Sequence, residues 1–292
     1  MSDYLIKATG YDGMVRCYAA VTTNTVEEAR RRQDTWPTAS AALGRALTIT
    51  TIMGAVLKGE DSLTTTISGN GPIGQIVSDA IAKGDVRAYV TNPHVDFPLN
   101  DAGKLDVSRA VGEGLLSVVK DQGLKDYFTG QVPISSGEIS EDFTYYFANS
   151  EQIPSSVGAG VLIDPEAHVL AAGGFILQIM PGADEDVINE LEKSIASLPQ
   201  LSHFIEAGNN AEAIAKQLIP ESSLQILEKM SVQFTCTCSK ERMLRAIKGL
   251  GEAEIQSMID QDHGAEVTCH FCNEVYDVTE EELQHLIDEH HS

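Results

Sequence analysis

Four of the chain's five cysteines fall in two tight pairs near its end, Cys236 and Cys238 in "QFTCTCSKERML", Cys269 and Cys272 in "EVTCHFCNEVY". Nothing else restricts the fold of this region so strongly. From Ser231 onward the chain offers only about ten apolar side chains, and domains of about 60 residues are marginal on burial alone and often need a metal or disulfides. The same stretch carries thirteen Asp or Glu against four Lys or Arg, Lys240, Arg242, Arg245 and Lys248. The cysteines must therefore stabilise it, as staples or as ligands.

The compartment decides between the two. The opening "MSDYLIKATGYDG" has no basic region followed by an apolar run of roughly 7–15 residues, and no stretch reaches the roughly 18 uninterrupted apolar residues of a spanning helix. A soluble, cytoplasmic protein with no membrane partner is the expectation, and in a reducing cytosol paired cysteines are more often metal ligands or redox groups than permanent disulfides. Four thiolates at about 2.3 Å from one ion complete a closed tetrahedral site, the structural arrangement for zinc, with an iron–sulfur cluster as the other occupant of such a set. No position is left open for a catalytic water. His263 and His270, beside the second pair, read as surface residues, and "DEHHS" at the end as a solvated tail. Cys17, in an apolar strand pattern, reads as a small buried hydrophobe.

A purely structural site does not account for a CxC. Two cysteines one residue apart close only a small, constrained ring, and strained disulfides tend to be the labile, regulatory ones. Oxidation of either pair would remove ligands, and for so thin a domain the metal's binding energy is folding energy. The pattern thus admits a switch.

Upstream, the chain reads as α+β. "YLIKAT" and "MVRCYAAV" flank a "GYDG" turn, "LTTTIS" and "GQIVSDAI" flank "GNGP", and "VGAGVLI" and "VLAAGGFILQIM" flank "DPEAH", a series of antiparallel hairpins. Between them "TASAALGRALTITTIMGAVLKG" has the composition of a helix buried against a sheet. In "TVEEA", Thr25 and Glu28 have capping-box spacing, with Arg30, Arg31 and Arg32 at the solvated end of the same helix. Val187, Ile188, Leu191, Ile195 and Leu198, then Ile214 and Leu218, follow helical spacing, closed by Pro199 and Pro220. These predict a domain over 1–180, an amphipathic helical linker over 181–230 that must lie on a neighbouring domain, and a small cysteine domain over 231–292. In the last, Met243, Ile247 and Leu250 form one stripe and Ile255, Met258 and Ile259 another; Thr279 and Glu282 cap a helix bearing Leu283, Leu286 and Ile287.

The formal charge of −23 opposes binding to nucleic acid or anionic lipid, which depends on Lys and Arg. "VGEG" lacks the third glycine of a dinucleotide fingerprint, "GNGPIG" is a turn rather than a phosphate loop, and no G-x-S-x-G occurs. No catalytic residue is assigned.

The CxC, the thirty residues that follow it and the CxxC, within "FTCTCSKERMLRAIKGLG" and "EVTCHFCNEVY", closely resemble the zinc centre of the redox-regulated 33 kDa chaperonin, or heat-shock protein 33, family. The resemblance extends through "LKGEDSLTTTISGNGPIGQIVSDA" and "SEQIPSSVGAGVLIDPEAHVLAAGGFILQIMPGA" to essentially the whole chain. It departs at Ala88, where glycine is usual, and at Val278, where an aromatic is usual and packing beside the centre would weaken. It implies one zinc per reduced chain on Cys236, Cys238, Cys269 and Cys272, and redox-active disulfides joining Cys236 with Cys238 and Cys269 with Cys272. It further implies an ATP-independent holdase, not an enzyme, whose partners are unfolding client proteins and which dimerises on activation. Two other readings of the same thiols are a thiol–disulfide oxidoreductase, since CxxC is its motif, and a protein-binding module with a structural zinc.

Overall fold

Alternation in the first hairpin sets the architecture. In the computed structural model, which describes residues 2–289, β1 (Tyr4–Gly10) and β2 (Val15–Val21) pair antiparallel across the predicted turn. There follow α1 (Thr23–Gln33), α2 (Pro37–Val56), β3 (Ser62–Gly69), β4 (Gln75–Ile81), β5 (Asp85–Val90), α3 (Val107–Val111), β6 (Gly114–Asp121), β7 (Phe128–Pro133), α4 (Ser140–Tyr146), β8 (Ser155–Ile163) and β9 (Val169–Ile179). The linker region holds α5 (Glu185–Ala196), α6 (Leu201–Glu206) and α7 (Ala211–Leu218), then β10 (Gln225–Ser231) and β11 (Gln233–Phe234). Thr235 closes the first compact unit and Cys236 opens the second.

The first unit has two sheets, of order β10-β1-β2-β9-β8 and β11-β5-β4-β3-β6-β7. Between them runs α2, in contact with β3, β4 and β5 on one side and β2, β8 and β9 on the other. It is apolar enough to cross a membrane, with a mean hydropathy of 1.3, but 89% of that window is buried inside the fold. Its buried hydroxyls find partners: Thr48 with Thr22 and Thr50 with Thr65, both at 2.7 Å, and Thr51 donates to the Leu47 carbonyl. Such pairing removes the cost of burying them.

The five-stranded sheet is apolar on both faces. Because side chains alternate along a strand, Leu5, Tyr18, Ala20, Ala172 and Ile176 join the core around α2, while Ile6, Val15, Cys17, Ala19, Phe175 and Leu177 face the other way. That second face is covered by Leu191, Leu201, Ile205, Ile214, Leu218 and Ile219 from the linker, the docking its amphipathic pattern requires. Close approach depends on glycine: a Cβ on Gly173 would sit 2.6 Å from Ile205 Cδ1, and one on Gly10 would sit 2.7 Å from Ile219 Cγ2. Phenols on the sheet reach the same helices, Tyr4 donating to the Glu212 carboxylate. At about 1.5–3 kcal/mol for each large aliphatic side chain, the cover gains roughly 9–18 kcal/mol. Ordering its backbone opposes that gain.

The structure departs from the sequence expectations in three places. Thr25 lies inside α1 and makes no capping box with Glu28; Asp3 caps the helix from outside, accepting from the Thr25 N–H at 2.6 Å, the Thr25 hydroxyl at 2.7 Å and Asn24 Nδ2 at 3.0 Å. Glu28 instead pairs with Arg31 and Arg32. The helices stop at Leu218, and residues 225–231 are a strand on the margin of the five-stranded sheet, exposed on nearly every residue and therefore without a burial pattern to read. The pairings among β1 to β9 are antiparallel as expected, and β11, from beyond them in the chain, runs parallel to β5. In the second unit Leu250 is 56% exposed, off the stripe assigned to it.

The second unit contains α8 (Lys240–Lys248), α9 (Glu252–Asp262), β12 (Gly264–Thr268), β13 (Val275–Thr279) and α10 (Glu280–Asp288). Thr279 and Glu282 form the expected capping box at α10. The core is as thin as expected: Ile247, Ile255, Val278, Leu283, Leu286 and Ile287 are its buried members. His290, His291 and Ser292, in the predicted tail, lie outside the described residues.

Two outcomes test this architecture by denaturant unfolding. Ile214→Ala should cost the first unit about 2–5 kcal/mol, the usual range for a buried Ile truncation. Asp3→Ala should cost about 1–2 kcal/mol, the worth of a helix cap, whereas Glu28→Gln should cost well under 1 kcal/mol, as for an exposed pair.

Candidate metal centre

All four site cysteines lie in the second unit, and each is placed by local chain physics. Cys236 and Cys238 occupy the extended stretch before α8, which begins where the Ser239 side chain accepts the Arg242 N–H at 3.3 Å. Arg242 in turn donates through Nη1 to the Thr237 carbonyl at 2.8 Å, holding the residue between the two cysteines. Cys269 and Cys272 lie in the tight turn joining β12 to β13. Its hydrogen bonds are Cys269 N–H to the Glu274 carbonyl at 2.9 Å and Asn273 N–H to the Cys269 carbonyl at 2.8 Å. Asn273 turns the chain with a φ of 56°, a left-handed conformation that asparagine tolerates.

These segments bring four free thiols to one point, every sulfur within 4.8 Å of every other. Cys236 Sγ lies 3.7 Å from Cys269 Sγ, and Cys238 Sγ lies 3.3 Å from Cys272 Sγ. A tetrahedron with metal–sulfur bonds of about 2.3 Å has edges of about 3.8 Å, so the cluster has the size of a tetrathiolate site. A set of thiols without carboxylate or imidazole suits a soft or borderline ion and leaves no coordination position open. Cys269 and Cys272 are buried, Cys236 and Cys238 half-buried.

Protonation is uneven across the cluster. Burial pushes the Cys236 thiol up, but the Cys238 backbone N–H and the neighbouring sulfurs more than reverse this and hold it down at about 7. Burial pushes Cys269 and Cys272 up, and for Cys272 the neighbouring sulfurs add to it. A single anionic sulfur shared among protonated neighbours is what such crowding favours; a divalent cation at the centre makes all four thiolates.

Cys17 stands apart. It is fully buried in β2 with its thiol pushed up to about 12 by burial, the small hydrophobe the sequence predicts. His263 pairs with Glu280 and is 76% exposed at its side chain, and His270 is exposed, so both are surface residues. One participant escaped the sequence reading: the Tyr276 hydroxyl donates to Cys238 Sγ at 3.1 Å. Only the hairpin register brings it there, and no spacing rule could have signalled it. The CxxC, moreover, sits in a β-hairpin turn and opens no helix, so it lacks the setting in which that motif works as an exchange catalyst.

A large two-sheet α+β unit, a helical cover on one sheet and a small unit built around four convergent cysteines define a class of redox-regulated chaperones. Residues 3–279 match the family described as Hsp33 protein, and the chain belongs to that family. It is 65% identical over 287 residues to the 33 kDa chaperonin of Oceanobacillus iheyensis, covering 98% of this chain and 99% of that one. The 33 kDa chaperonin of Staphylococcus carnosus is 58% identical over 288 residues, 98% of each chain. The crystal structure of the 33 kDa chaperonin (heat shock protein 33 homolog) from Thermotoga maritima superposes with a TM-score of 0.92 at 36% identity, covering 99% of both chains. Members of this family are chaperones rather than enzymes.

Because metal-binding free energy in such small sites is about 10–16 kcal/mol, Cys272→Ser should abolish tight metal retention and unfold the second unit. Elemental analysis and amide exchange of residues 236–289 would show both. Cys17→Ser should keep the metal; its loss there would place Cys17 in the site.

Proposed function

We propose that the protein is an ATP-independent holdase, switched by its cysteine centre, that keeps unfolding proteins from aggregating in the cytoplasm. The observation that carries this reading is the convergence of four free thiols on one point in a unit whose core has few buried side chains. In the reduced state Cys236, Cys238, Cys269 and Cys272 hold one zinc ion, which keeps all four sulfurs anionic. Peroxide then oxidises Cys236 with Cys238, and Cys269 with Cys272. For each pair two thiolates, one H2O2 and two protons become one disulfide and two waters. Each disulfide removes two ligands, and with them the folding energy the ion supplied.

The consequence reaches the first unit along the chain itself, since β11 ends at Phe234, two residues before Cys236. Loosening there would release β11, β10 and then the helices that cover the sheet. What they leave is the outer face of the five-stranded sheet, lined by Ile6, Val15, Ala19, Phe175 and Leu177, together with their own apolar stripes. Apolar surface of that extent binds other exposed apolar chains, and it draws two activated copies into a homodimer. A formal charge of −23 keeps the opened state soluble.

A client without cysteines separates this reading from disulfide exchange. The peroxide-treated protein should suppress aggregation of such a client at near-stoichiometric ratios without ATP, and the reduced, zinc-loaded protein should do so little. Peptide mapping should place disulfides within each pair. Equal protection by both forms would end the case for redox control, and disulfides between Cys238 and Cys272 would overturn the pairing.

A further inference from the structure

The hydrogen bond from Tyr276 to Cys238 is a contact of the centre that neither ligation nor the backbone requires. Tyr276 lies on β13, paired with Val267 of β12. Along β13 the exposed residues are Val275, Asp277 and Thr279, so Tyr276 shares the inward face with Val278, which is buried in the small core. The packing of Val278 fixes the strand, and the strand aims the phenol at one sulfur of the four. Folding the hairpin and filling the core would be served equally well by phenylalanine at this position.

We propose that Tyr276 restrains the oxidation of Cys238, so that the order and speed with which the four sulfurs react are set by a phenol outside the ligand set. The inference rests on the tetrathiolate reading above. A thiolate reacts through its sulfur lone pairs: it attacks one oxygen of hydrogen peroxide, the S–O bond forms as the O–O bond breaks, and the departing hydroxide takes a proton from water's pool. The sulfenic acid then condenses with a neighbouring thiol, forming S–S and releasing water. A donated O–H occupies one of those lone pairs and lowers the sulfur's basicity. For a free thiol the loss is offset by a larger thiolate fraction; for a sulfur already held as thiolate it is not, and only the fall in nucleophilicity remains. With a Brønsted slope of about 0.4–0.5, a ten- to hundredfold loss of basicity slows attack by about three- to tenfold.

Tyr276→Phe in the full-length, metal-loaded protein tests this. Under limiting hydrogen peroxide, metal release followed with a chromogenic chelator should be about three- to tenfold faster than in the wild type. Brief treatment with iodoacetamide and peptide mapping should show the gain concentrated at Cys238, with Cys236, Cys269 and Cys272 little changed. Val278→Ala supplies the comparison: it keeps the phenol hydroxyl but loosens the same strand, and should raise labelling at all four positions together. Equal release rates from Tyr276→Phe and the wild type, or a uniform rise matching Val278→Ala, would overturn the inference while leaving the metal centre intact. A wild-type chain that holds no metal would overturn the tetrathiolate reading, and this inference with it.

Discussion

A sheet with two apolar faces needs two covers, and most of this molecule follows from that requirement. The run "VLAAGGFILQI" in β9 is buried almost throughout, and β1 and β2 alternate so that both of their faces avoid water. One cover, α2, is permanent, because it is enclosed between two sheets and its hydroxyls are paired there. The other is assembled from short helices late in the chain. Its contacts are as apolar as those around α2, but it has solvent on its far side and a covalent connection to the cysteine unit at its end. A single fold thus contains one interface enclosed on both sides and another that the proposed function would open without global unfolding.

The proposed switch gives the cysteine unit control of the second interface because the unit has so little core of its own. Its few buried side chains, its excess of acidic residues and its four converging thiols would place its stability in one coordination site rather than in a distributed core. In a distributed core, losing one contact costs a fraction of the stability; under the proposal the sulfurs that fold the unit are the ones an oxidant attacks. Chemistry and folding would then be coupled because they use the same atoms.

The four cysteines that converge were legible in the sequence because CxC and CxxC each bring two sulfurs together through local geometry that needs no knowledge of the rest of the fold. The same is true of the Thr279–Glu282 capping box and of the hairpins, each a short-range pattern. What escaped reading depends on partners distant in sequence. Asp3 caps α1 from the start of the chain, displacing the box that Thr25 and Glu28 suggest. "QILEKMS" forms a strand through main-chain pairing with β1, so its side chains carry no periodic mark. α6 is too short, at six residues, to display a helical repeat. Tyr276 reaches Cys238 only because the β12–β13 register puts it there. Local signals survive in one dimension; those that need a third element do not.

The seclusion of Cys17 has a consequence for how often such a protein can be used. A thiol sealed inside β2, reluctant to ionise, offers peroxide little to attack, so the reactive cysteine sulfur is gathered at one end of the chain. Under the proposed switch, an oxidant of thiols would spend itself on pairs that a dithiol reductant can restore. Wear on cysteine would then be confined to the replaceable part of the machine, and the same molecule could return to its starting state after many oxidative episodes.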